Sequence, residues 1–220
     1  MRVWDTENLI YDGLRALPWL RYLSAMWILC GEIRSLFEDR LTSSEQVLIS
    51  STMDVVREVV TTGEVRAATG LAAAELVTEW QQLISERQNE VLPGQWNAWI
   101  TFELLTAELA GTADRYEATE RLTLAATERW REPYPGKARM IDKNEEIDDS
   151  SPMARTLATF GRVVTHINQA GQLPRDPATV RAQVILEPPW ISRTKRLFSG
   201  PDPSLSRRLM AGLARRSRSM

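Results

Sequence analysis

Cysteine is nearly absent. Cys30 is the only one among 220 residues, which excludes an intramolecular disulfide and a cysteine-built zinc site and points to a reducing compartment. Histidine is as scarce, with His166 standing alone. Helical metal sites draw on several histidines and carboxylates three or four apart. The chain has no Glu-x-x-His pair, so no metal is expected, and Glu75, Glu79, Glu103 and Glu108 read better as helix-surface charge than as a carboxylate site. Walker loops, Gly-x-Gly-x-x-Gly turns and Gly-x-Ser-x-Gly elbows are missing too, so no cofactor is expected and nothing marks an enzyme. The longest apolar run, LPWLRYLSAMWILC, covers about 14 residues and carries Arg21. That is too short and too polar to cross a bilayer. The opening residues lack the basic and apolar regions of a signal peptide, which makes a cytoplasmic protein the expectation.

What is present is helical periodicity. Apolar spacings of three and four predict an all-α fold, an irregular bundle of about six to eight helices without a sheet. A first helix is expected from Thr6 to Ala16 and a second from Pro18 to about Arg40. Thr42-Ser43-Ser44-Glu45 reads as a capping box opening a third helix that stops at Gly63. Further helices are expected over Glu64–Asn89, Gln95–Ala110, Ala113–Arg131 and Pro152–Ala170. Three regions follow: an acidic helical core (1–131), a charged linker (132–151), and a helix with a Pro-rich basic extension (152–220) expected to pack on the core. In that extension Asp202-Pro203 reads as the start of a terminal helix.

Charge divides the chain. Residues 1–150 hold 26 acidic and 15 basic side chains, whereas residues 151–220 hold 3 acidic and 12 basic. The basic excess includes Arg207, Arg208, Arg215, Arg216 and Arg218, on a stretch where Leu205, Leu209 and Leu213 recur every four residues. Three uses compete for this tail: docking on the acidic body, an arm on nucleic-acid phosphates, and an interfacial membrane helix, which its shortness and lack of aromatics disfavour. The leucine stripe also leaves a homodimer open.

In the fifth helix, Trp96, Trp99, Ile100, Ala107 and Ala110 share a face with Glu103 in its middle, while Asn97, Thr101 and Glu108 form a separate stripe. A carboxylate on an apolar face calls for a partner. Arg34, on the apolar face of the second helix, is the candidate partner; failing that, Glu103 is a general acid or base in a Trp-lined pocket. Cys30, on the same apolar face as Arg34, reads as a buried, inert thiol.

Leu17, Trp19, Leu29-Cys30, Glu32, Phe37 and Asp54, with the stretch GQWNAWITFELLTAELAGTADRYEATERLTLAAT, resemble the YjaG-like family of uncharacterised all-helical bacterial proteins over about residues 9–131. The basic end from about residue 172 departs from that pattern. The resemblance implies an all-helical fold and carries no chemistry with it. Size and helical build are also similar to those of small bacterial immunity proteins. The expected function is therefore protein binding, as an immunity- or antitoxin-like inhibitor whose acidic surface covers a basic partner. Glu75, Glu79, Glu86 and Glu90 on the fourth helix, with Asp142, Glu145, Glu146, Asp148 and Asp149 in the linker, are the expected contacts.

Overall fold

Helices form where the apolar residues recur three and four apart. The structure is a computed structural model that describes residues 2–131 and 146–185. Within them lie eight α-helices and no strand: α1 (Val3–Arg15), α2 (Trp19–Phe37), α3 (Ser43–Thr62), α4 (Ala67–Arg87), α5 (Pro93–Ala110), α6 (Glu117–Arg131), α7 (Pro152–Gln169) and α8 (Pro177–Ile185). A 3-10 turn, Glu38–Arg40, extends α2, and one isolated antiparallel bridge joins Arg2 to Glu146. Among these residues no helix is long and apolar enough to cross a membrane.

The helix ends follow the local chemistry. At α3, Glu45 N donates to Thr42 Oγ1 (3.3 Å) and Thr42 N donates to Glu45 Oε2 (2.6 Å), which makes the capping box. Gly63 (φ 84°) and Gly111 (φ 75°) close α3 and α5 in the left-handed region, where a side chain would be strained. Two starts come later than the spacing predicts. α4 begins at Ala67 instead of Glu64, and α6 at Glu117 instead of Ala113, after Tyr116 turns through φ 73°. The Tyr116 hydroxyl donates to Leu17 O (3.1 Å) and its ring meets Tyr22 edge-on at 4.5 Å, which holds that turn in place.

α5 sits at the centre. It packs on α2, α3, α4 and α6, and nearly every side of it is covered. Trp80 of α4 is fully buried, stacks on Phe102 at 5.5 Å and donates from its indole to Thr52 Oγ1 of α3 (2.9 Å). α2 supplies the second spine, with Leu23, Met26, Cys30, Ile33 and Phe37 all buried. α1 and α7 close the far side so tightly that a Cβ on Gly13 would lie 2.6 Å from Val164 Cγ1.

The basic half of the chain is anchored where it is described. Arg21 donates to Ile167 O (3.0 Å) in the last turn of α7 and to Gly171 O (2.9 Å) just beyond it. α8 is tied to α3 by the two-pronged Arg57–Asp176 pair and to α2 by Arg181–Glu32. The proposed terminal helix and the five tail arginines lie outside the described residues.

Candidate protein-binding face

α4 runs along the edge of the bundle. Among the described helices it packs only on α3 and α5, so one side of it faces solvent for its whole length. Its first half has few polar side chains. Leu71 is 68% exposed and Val65, just ahead of the helix, is 42% exposed, beside the exposed Ala67, Ala68 and Ala74. Its second half carries Glu75, Glu79, Glu86 and, beyond the helix end, Glu90, all exposed. Positions 75, 79 and 86 fall on one stripe at helical spacing. Glu90 pairs with Arg87 (3.1 Å) and Glu86 accepts from Gln82 (2.8 Å). Among the described residues, Glu75 and Glu79 have no ion-pair partner. An apolar stretch next to charge of one sign, without ion-pair partners at Glu75 and Glu79 among the described residues, makes this face a candidate contact surface.

The face is held rigidly from behind. Glu45 is fully buried and pairs with Arg87, whose guanidinium also lies 5.5 Å from the Trp99 ring centroid. One arginine thus joins the start of α3, the end of α4 and the middle of α5. Isolated buried carboxylates are costly, and this one is compensated twice, by Arg87 and by the Thr42 amide.

The linker acids lie elsewhere. Glu146 sits 3.6 Å from Arg2 at the start of α1, and Ser150 N donates to Asp148 (2.8 Å), which lowers that carboxyl's pKa. Asp148 and Asp149 are exposed. Among the described helices α4 touches neither α1 nor α7, so these acids and the α4 glutamates are carried by elements that do not pack on each other. Asp142 and Glu145 lie outside the described residues.

Glu103 and Arg34 are not brought together. Glu103 is half-buried and accepts from Gln81 Nε2 of α4 (3.1 Å). Arg34 is also half-buried and lines a small crevice with Phe37, Leu41, Ile49 and Trp99. No ion pair joins the two among the described residues, because the Glu103 side of α5 turns toward α4 instead of α2.

On α5 the buried carboxylate is Glu108, only 7% exposed. Its Oε1 accepts from the Tyr22 hydroxyl (3.2 Å) and from Ala118 N at the start of α6 (3.4 Å), while Oε2 is buried without a hydrogen-bond partner among the described residues. Burial raises its pKa from 4.5 to about 7, against the opposing pull of those hydrogen bonds. Burial, then Glu108's charge, raises the Tyr22 pKa as well and pushes Cys30 far above the ordinary thiol range, which makes Cys30 an inert core residue. The Asn97–Thr101–Glu108 stripe is therefore an inner one, covered by α6: Asn97 donates to Glu128 (2.6 Å) and accepts from Arg121 (3.3 Å). No group of three metal-ligating side chains forms among the described residues. Comparison with family models, with curated proteins and with solved structures finds no match.

Proposed function

We propose that this chain is a protein-binding protein, an immunity- or antitoxin-like inhibitor whose acidic α4 face covers a basic partner. The observation that supports this reading is the outer side of α4, where exposed Leu71 and Val65 adjoin Glu75 and Glu79, which have no ion-pair partner among the described residues. Apolar contact would supply affinity, and the carboxylates would steer a positively charged surface into place and reject acidic ones. The net charge of the first 150 residues favours the same partner at longer range.

Capture from nuclease-treated host extract, with wild type and a Leu71→Asp/Glu75→Lys/Glu79→Lys variant, tests the proposal. All three positions are exposed, so the variant should fold. The expected result is one basic protein held in equimolar amount by wild type and lost with the variant. Equal retention by both, or none by wild type, would overturn the reading.

A further inference from the structure

A concave site lies between α2, α6 and α7, helices that α4 does not touch. It is a cleft of about 300 Å³. Its floor is apolar, made by Leu36, Trp130, Pro152 and the fully buried Phe160. Volume, mixed lining and a position between helices are those of a small-molecule pocket.

The polar rim has a consistent chemistry. Ser35, Thr156 and Thr159 each donate their hydroxyl hydrogen to a carbonyl one turn back: Gly31 O (3.1 Å), Pro152 O (3.0 Å) and Arg155 O (2.9 Å). Their oxygens are left as acceptors. Two already accept, Thr156 from the Trp130 indole (3.1 Å) and Thr159 from Arg162 (2.9 Å). Ser35 Oγ has no such donor among the described residues. Glu32, also in the lining, gives Oε1 to both Arg181 contacts (2.6 and 3.2 Å) and leaves Oε2 without a partner among the described residues. The Arg181 pair offsets the Glu32 charge. Arg155 also lines the cleft, and its charge is opposed by that of Asp148. The rim therefore offers acceptors beside an apolar floor, with its charges opposed in pairs.

We propose that this cleft binds a small, uncharged ring compound whose polar group donates a hydrogen bond, with Ser35 Oγ and Glu32 Oε2 as the acceptors and Trp130 and Phe160 against the ring. The proposal is independent of the α4 face.

A matched pair of probes tests it on the full chain: 4-ethylphenol, which carries the donor, and 4-ethylanisole, in which a methyl group replaces the donating hydrogen. Titration would be followed by the NMR signal of the Trp130 indole N–H. The expected result is saturable binding of 4-ethylphenol at one site, at least tenfold tighter than 4-ethylanisole. Ser35 is exposed on a helix, so Ser35→Trp should fold and, by filling the cleft, abolish that binding. No saturable shift with either probe would overturn the proposal, as would equal affinity for the two or binding that survives Ser35→Trp.

Discussion

Replacing Glu108 by Gln should make the protein more stable at alkaline pH and nearly unchanged at acid pH. Glutamine keeps the shape of the side chain and an oxygen for the Tyr22 hydroxyl and Ala118 N, but it cannot ionise. In the native protein burial raises the Glu108 pKa from 4.5 to about 7. A carboxyl whose folded pKa is raised favours the fold most below its unfolded pKa. That contribution is lost as pH climbs from 4.5 through 7 and is flat above. Two and a half pH units correspond to about 3 kcal/mol. Between pH 5 and pH 8 the linkage expression gives a change of about 2.5 kcal/mol. Every other titrating group cancels when the variant is subtracted from the wild type. Urea unfolding of both proteins at pH 5, 6, 7 and 8 should show the Gln variant gaining about 2.5 kcal/mol over the series. A difference that stays constant with pH would refute the reasoning, since Glu108 would then titrate as though in water.

Three further outcomes follow from the packing. Glu45→Gln keeps the capping box, which glutamine can also make, but takes the carboxylate from Arg87, so it should cost about 1.5–3 kcal/mol in urea unfolding. Gly13→Ala places a methyl group 2.6 Å from Val164 Cγ1 and should cost about 1–3 kcal/mol. Adding Val164→Ala should recover part of that loss, a coupling that a double-mutant cycle reads directly. Trp80→Phe keeps the stack on Phe102 but leaves Thr52 Oγ1 without its indole donor, with an expected loss of about 1–3 kcal/mol by thermal unfolding.

The elements legible in the sequence are those whose causes are local. Thr42 and Glu45 satisfy each other's backbone amides within one turn, so the start of α3 can be read without knowing its neighbours. Gly63 and Gly111 are similar, since a left-handed residue must follow those helices. Exposed Glu75, Glu79 and Glu86 are legible as surface because their stripe on α4 lies apart from the one that carries Leu76 and Trp80. The α8 signal was present in Asp176-Pro177, where the Asp carboxylate accepts from Ala178 N (3.2 Å) ahead of a first-turn proline. The surrounding Pro-rich composition masks it. What periodicity cannot show is which neighbour covers a stripe. On α5 both stripes are covered, one by α4 and the other by α6, so Glu103 and Glu108 exchange the roles their spacing suggests. A buried carboxylate is identified by the helix packed over it, and that is a tertiary fact.

The α4 face is tested most directly by carboxyl labelling of the captured complex. Carbodiimide coupling of an amine, read by mass spectrometry, reports each exposed carboxylate separately. Glu75, Glu79 and Glu86 should lose their labelling when the partner is bound, while Asp12 and Glu38, exposed on other elements, keep theirs. Unchanged labelling on α4, with protection elsewhere, would contradict the account and move the binding surface off this helix.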